Sequence, residues 1–310
     1  MNIKNFDFLD FGASKGTSIE FAKEHLFGKK GLGIDLDPER VEIMREAGYD
    51  CMVGDITNLR LPARCVKFVK MAHILEHLPD LRNVEKAVAT AKKSATNFLV
   101  ITGPFFDAED YLASKGLKLY WSDYIEHTCH LKVSQLIKIL QKLKLENYEL
   151  YLRYPITDSS DEHIQPLSSP PGSHHYDPKI HPPKKNMNFD RLIWVDFVCY
   201  VQIGETKDWG AITKAYRNQI PYIEQKGDKR YVWPEQTVKK FIEVDEETQA
   251  KDKTIQKLKE QNAQYLEKIS ILKCQLLDIR SSKSWKAVRG LHKTAAIIKR
   301  PSGLISRPGK

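Results

Sequence analysis

The first two hundred residues alternate short apolar runs with longer amphipathic stretches. Phe6, Phe8, Leu9 and Phe11 form the first run, which closes on Gly12. So short a run ending in glycine predicts a buried strand that feeds a tight loop. Ile19, Phe21, Ala22, His25 and Leu26 then share one face and predict a helix from Thr17. Leu32, Gly33 and Ile34, closed by Asp35, form a second strand. Asp37 caps the next helix, Pro38 suits its first turn, Val41, Ile43, Met44 and Ala47 give its apolar side, and Gly48 ends it. Strands are predicted at 51–53, 66–72, 97–102, 147–153 and 192–201, with a helix at 81–93. The alternation predicts an α/β fold: a doubly wound, mostly parallel seven-stranded sheet with helices on both faces.

In such a sheet, ligands bind beyond the carboxyl ends of the strands, where strand order reverses. Asp10, Asp35, Asp55 and His73 fall at those ends. Gly12 and Gly16 carry no Cβ, so the loop backbone and the following helix N-terminus can approach a ligand closely. An acid ending the second strand, as Asp35 does, typically takes two ribose hydroxyls. The alternative is the same fold with a degenerate, empty loop.

The runs LDFGASKG, GIDLDPERV, GDITNL and AHILEHLPD, in this order and spacing, resemble a class I S-adenosyl-L-methionine-dependent methyltransferase with its Rossmann-like fold. The resemblance covers about residues 5–201 and implies roles residue by residue. Asp10, Gly12, Ser14 and Gly16 would line the loop around the amino-acid part of the cofactor. Asp35 would hold the ribose hydroxyls with Leu36 against the adenine. Asp55 would hydrogen-bond the adenine amino group with Ile56 packed beside it, and His73 would border the methionine moiety and the substrate pocket. The resemblance also implies that the last two strands form an antiparallel hairpin. Two departures stand out: Ser14 where many members have a third glycine, and Lys67 and Lys70 where many have an acid.

His73, His77 and His130 are the candidates for a general base toward a substrate hydroxyl, because imidazole titrates near neutral pH. Glu76 either orients a histidine or substrate, or caps a helix. His127 and His130 stand three apart with no CxxC or HExxH beside them, so no metal is expected. Residues 103–124 form an aromatic-rich insertion with Phe105, Phe106, Tyr111, Tyr120, Trp121 and Tyr124, suited to stacking a sugar or base, to covering the cofactor, or to ordinary packing. The stretch 155–189, rich in Pro, Ser and His, reads either as a lid offering His163, His174, His175 or His181, or as a mobile polar loop.

Beyond the catalytic domain expected over 1–203, residues 204–248 read as a linker with short helices. Ile255, Leu258, Asn262, Tyr265, Ile269, Leu272, Leu276 and Ile279 then repeat at steps of three and four, a heptad seam that predicts a homo-oligomeric coiled coil over 249–282. A single helix folding back on the domain is the alternative. The tail 283–310 carries eight Lys and Arg residues and no acid, most of the chain's net charge of +9. With Trp285, Val288, Leu291 and Ile297 it reads as a membrane-surface or acidic-partner segment, or as a solvated tail. No recognition motif supports nucleic acid. The segment SSKSWKAVRGLHK resembles the Ser-Trp-basic stretch that follows coiled coils in bacterial enzymes of surface-polysaccharide assembly, which turns the acceptor toward a glycan or nucleotide sugar.

The 310 residues leave room for one large domain and an appendage, and a mean hydropathy of −0.47 fits an extended polar segment. No apolar run nears the roughly 20 residues of a membrane span. The five scattered cysteines and the start without a signal pattern read as a cytoplasmic protein, with docking at the inner membrane surface as an addition through the tail. The expected activity is transfer of the sulfonium methyl to a saccharide oxygen. Methylation of another small metabolite, lipid or protein is an alternative, as is a non-catalytic coiled-coil scaffold.

Overall fold

The structure, a computed structural model, describes residues 2–222 and, beyond them, Lys257. Apart from Lys257, the expected coiled coil over 249–282, the basic tail over 283–310 and the linker past Tyr222 lie outside the described residues.

The chain runs β1 (Phe8–Phe11), α1 (Thr17–His25), β2 (Gly31–Asp35), α2 (Pro38–Glu46), β3 (Cys51–Val53), β4 (Val66–Ala72), α3 (Leu81–Ser94) and β5 (Ala95–Pro104). It continues through α4 (Glu109–Ser114), β6 (Leu117–Leu119), α5 (Val133–Lys142), β7 (Tyr148–Asp158), β8 (Ile164–Pro166), β9 (Asn188–Gln202), α6 (Trp209–Ile212) and β10 (Gln219–Pro221). The main sheet has the order β10-β7-β9-β5-β4-β1-β2-β3. Strands β1 to β5 pair in parallel, while β9, β7 and β10 add antiparallel. The chain moves outward from β1 to β3 and then crosses back to β4, so the switch in strand order lies between β1 and β4.

The predicted mostly parallel sheet is present, with eight strands rather than seven. The extra edge strand, β10, pairs Ile220 with Leu152 of β7. Three residues are too few to show a period, so the sequence pattern left them in the linker.

Local rules explain the helices. Asp37 accepts a hydrogen bond from the Glu39 amide at 2.8 Å with Pro38 in the first turn, and Asp80 accepts from the Asn83 amide at 2.9 Å. Val84, Ala87, Val88 and Ala91 of α3, and Val133, Leu136, Ile137 and Leu140 of α5, are buried at helical spacing against one sheet face. The other face carries Phe8, Phe68 and Phe98, one from each of three neighbouring strands, covered by α1, α2 and α6. Their rings stack at centroid distances of 4.8 and 4.6 Å. Gly31 belongs to this stack: a Cβ there would fall inside the Phe8 ring.

The 155–189 stretch is folded. Its strand β8 pairs with β6 to make a second, two-stranded sheet, and Ser159, Ile164 and Gln165 are fully buried. Lys184 donates to the Asp161 and Ile164 carbonyls at 2.6 and 2.9 Å and ties the segment down. The four cysteines among the described residues are free and buried, and no helix there is long and apolar enough to cross a membrane.

Phe68 is the middle ring of the stack and is 1% exposed. Its truncation to alanine is expected to lower unfolding free energy by about 3–5 kcal/mol, measured by urea denaturation of the full chain.

Candidate active site

Four segments meet at the carboxyl ends of β1, β2, β3 and β4. The loop after β1 turns through Gly12 and Gly16, both with positive φ (71° and 87°), and through Ser14 at φ 50°. Side chains are excluded at Gly12 for a second reason: a Cβ would overlap Ile74. The HILEH segment leaving β4 therefore sits directly on the glycine loop.

Asp35, at the end of β2, is 7% exposed. Its two carboxylate oxygens accept from the Ser14 amide at 2.9 Å and the Asp37 amide at 3.1 Å. Next to it Leu36 is 69% exposed, an apolar side chain turned outward beside an acid. Asp55 is exposed and accepts from the Thr57 amide and hydroxyl at 2.9 and 2.7 Å, while Ile56 is buried in the core.

Asp10 is fully buried and stands opposite Lys70 in the β1–β4 ladder. The Ser18 hydroxyl donates to one carboxylate oxygen, and the other is buried with no partner. Burial pushes the Asp10 carboxyl up, against the pull of Lys70 and Ser18, and pushes the Lys70 ammonium down, against the pull of Asp10. An orphaned buried oxygen, two αL glycines and an outward Leu36 beside a buried acid are what a nucleoside bearing a charged amino-acid end requires. The residues present fit that group.

Beyond β4, His73 adopts φ 50° and its side chain is 49% exposed. Its Nδ1 lies 3.5 Å from Glu76 and its Nε2 3.9 Å from Asp196. Enclosure by protein pulls its pKa down, but the two carboxylates prevail and raise it above the ordinary histidine value. Asp196 of β9 is itself clamped by Arg153 of β7, whose Nε donates at 2.7 Å and whose second nitrogen donates to the other oxygen. Arg153 also lies over Tyr216 at 4.7 Å, which stacks on Phe21 of α1.

The other candidates are held elsewhere. His77 contacts the Glu126 carbonyl through Nδ1 at 3.1 Å and meets the His127 ring edge-on at 4.9 Å. His130 pairs with Glu109 at 2.8 Å and stacks on Phe106 at 4.6 Å. Burial lowers the pKa of His127. Sequence reasoning missed Asp196 and Arg153. A lone acid inside the apolar run LIWVDFVCYV was the available signal. A cavity of about 390 Å³ lined by Ile137, Tyr148, Tyr151 and Tyr222 lies at the β7–β10 edge and contains none of these residues.

Residues 2–150 match the family described as methyltransferase domain. With this strand order, the described domain has a Rossmann-like methyltransferase fold. Similar solved structures include an S-adenosylmethionine-dependent methyltransferase from Archaeoglobus fulgidus (16% identity, 63% of this chain and 85% of that chain, TM-score 0.44). A second, from Mesorhizobium loti, is 13% identical over 65% of this chain and 93% of that one, with a TM-score of 0.38. A third is a phosphoethanolamine N-methyltransferase from Haemonchus contortus, in complex with phosphomonomethylethanolamine and S-adenosylhomocysteine (16% identity, 46% and 34% coverage, TM-score 0.37). No curated protein matches the chain.

The hydrogen bond to Glu109 raises the His130 pKa, with burial opposing. A raised folded-state value means the stabilisation is complete below the unfolded value of about 6.5 and is lost as pH rises through the folded value. Thermal melts of wild type and Glu109→Gln should therefore differ most near about pH 6 and converge toward about pH 9.

Proposed function

We propose that the domain methylates a hydroxyl oxygen of a saccharide or nucleotide sugar. The observation that carries this reading is His73, half-exposed at the end of β4 between the carboxylates of Glu76 and Asp196. A hydroxyl must shed its proton as its oxygen attacks, and an imidazole flanked by two carboxylates is suited to receive that proton. His73 would accept it at Nε2, which at 3.9 Å lies beyond hydrogen-bond distance of Asp196, while Glu76 beside Nδ1 and the nearby Asp196 stabilise the imidazolium that forms. Arg153 keeps Asp196 in place. His77 and His130 are weaker choices, because Glu126 and Glu109 already engage them.

S-adenosylmethionine, when bound, supplies an electrophilic methyl group on a positively charged sulfur. Asp35 would hold the ribose hydroxyls, Leu36 and Ile56 the adenine, and Asp55 its amino group. Asp10 and the loop through Gly12, Ser14 and Gly16 would hold the amino-acid end. The protein's main contribution is positioning: holding two reactants in line can remove about 7–11 kcal/mol of barrier in well-oriented intramolecular reactions.

The aromatic-rich stretch 103–124 supports a sugar acceptor. Tyr120 and Tyr124 are partly exposed, and stacked aromatic faces suit the apolar face of a sugar ring. The heptad stretch and basic tail, outside the described residues, read as a self-association element and a segment that docks on an acidic surface in glycan assembly. The division into a catalytic domain expected over 1–203, linker, coiled coil and tail belongs to the same proposal, with α6 and β10 carrying the sheet domain on to Pro221.

Calorimetric titration of S-adenosylhomocysteine is expected to give binding that Asp35→Ala weakens about 10- to 100-fold, the worth of lost charge-assisted hydrogen bonds. With a saccharide acceptor, His73→Gln should lower kcat by about 10²- to 10⁴-fold while cofactor affinity is retained. No binding to folded wild type would overturn the cofactor site. Methylation confined to amine or carboxylate acceptors would overturn the hydroxyl reading.

A further inference from the structure

Three side chains beside this site converge with no role in the reading above beyond that of Glu76. Glu76, His77 and His127 each offer a ligand atom, and these atoms lie within 4.8 Å of one another. The convergence is built by the backbone. The Cys129 amide donates to the Glu76 carbonyl at 3.0 Å, and the Thr128 hydroxyl donates to the Leu78 carbonyl at 2.8 Å. These two bonds lay the 127–129 stretch along the segment leaving β4, so His127 faces His77 across a sequence gap of fifty residues.

Both imidazoles are held in the same tautomer. Nδ1 of His77 lies 3.1 Å from the Glu126 carbonyl, and Nδ1 of His127 lies 2.9 Å from the Trp121 carbonyl. A carbonyl can only accept, so each Nδ1 carries the hydrogen and each Nε2 keeps its lone pair. This outer support, a ring N–H donated to a backbone carbonyl, is the usual second contact of a metal-ligating histidine. Glu76 completes the set: it is 2% exposed, and one of its carboxylate oxygens is buried with no hydrogen-bond partner. A buried carboxylate oxygen left unmatched is costly and calls for an ion or a donor.

We propose that Glu76, His77 and His127 bind a first-row divalent metal ion, of the class that includes Zn²⁺, Fe²⁺ and Mn²⁺. Two imidazoles and one carboxylate, with the remaining positions open, match the donor set of such ions rather than the all-oxygen sets of Ca²⁺ and Mg²⁺. Ligand bonds of about 2.0–2.2 Å put tetrahedral ligand atoms roughly 3.4 Å apart. From within 4.8 Å of one another, the three atoms would draw together by up to about 1.4 Å to reach that value. The Glu126 carboxylate, 3.9 Å from His77 Nδ1, adds negative charge to the surround. Because Glu76 also faces His73, the cation adjoins the place where an acceptor oxygen has to lose its proton, and it would lower that oxygen's pKa. This last role rests on the oxygen-acceptor reading; the cation site does not.

The test uses the untagged full chain, stripped with a chelator and titrated with Co²⁺ and Zn²⁺. One equivalent should bind. In the Co²⁺ form, proton NMR should show two exchangeable hyperfine-shifted imidazole resonances, from the Nδ1–H groups of His77 and His127. Glu76→Gln, His77→Gln and His127→Gln should each weaken binding at least tenfold while S-adenosylhomocysteine still binds, the sign that the fold persists. His175→Ala, in a second His and acid grouping with Glu162 and His163, should leave it unchanged. Absence of binding, absence of the two shifted resonances, or a loss produced by His175→Ala instead would each overturn the site. Metal binding without cofactor binding would leave the cation site standing and remove the methyl-transfer reading, so the two failures are distinguishable.

Discussion

The rest of the site depends on one close approach, that of Ile74 to the glycine loop. Because Gly12 has no Cβ, the segment that leaves β4 can lie against the loop that leaves β1. These two strands flank the switch in strand order, where the sheet opens a cleft. The contact sets the height of His73 above the sheet, and the left-handed turn at His73 aims Glu76 back at it. A larger residue at position 12 would push the segment leaving β4 away from the glycine loop and separate the groups that the proposed reaction has to bring together.

The buried charges around this cleft serve position more than stability. Breaking a buried pair by removing one partner costs about 3–5 kcal/mol, yet replacing both partners with well-packed apolar groups is often neutral. Arg153 and Asp196, on adjacent strands, are therefore weak as a stabilising pair and informative as a clamp: they fix a carboxylate 3.9 Å from His73. Asp10 and Lys70 are a second buried acid and base, facing each other across the β1–β4 ladder under the cofactor loop.

Much of this was legible in the sequence because the signals are local. Gly12, Gly16 and Asp35 follow or end strands that short apolar runs mark, and Asp37 and Pro38 announce a helix start by their own chemistry. What stayed hidden depends on pairing between distant strands. Arg153 and Asp196 are 43 residues apart and meet only because β7 and β9 are neighbours in a particular register. His127 reaches His77 through two hydrogen bonds, from Thr128 to Leu78 and from Cys129 to Glu76, between segments fifty residues apart. The 155–189 stretch looked like a lid or a mobile loop because its order comes from β6 and β8, each three residues long, and from Lys184 binding backbone carbonyls. Strand β10 escaped for the same reason. Lys70 was visible as a departure, but its partner Asp10 became apparent only from the ladder.

The central claim is that the cofactor loop and the segment leaving β4 form one site. Hydrogen–deuterium exchange of the full chain with and without S-adenosylhomocysteine tests it most directly. The account predicts slowed exchange at amides 12–16, 35–37, 55–57 and 73–77 together, because one ligand spans all four segments. Protection confined to the β7–β10 edge around Tyr148, Tyr151 and Tyr222, with none at those four segments, would contradict it.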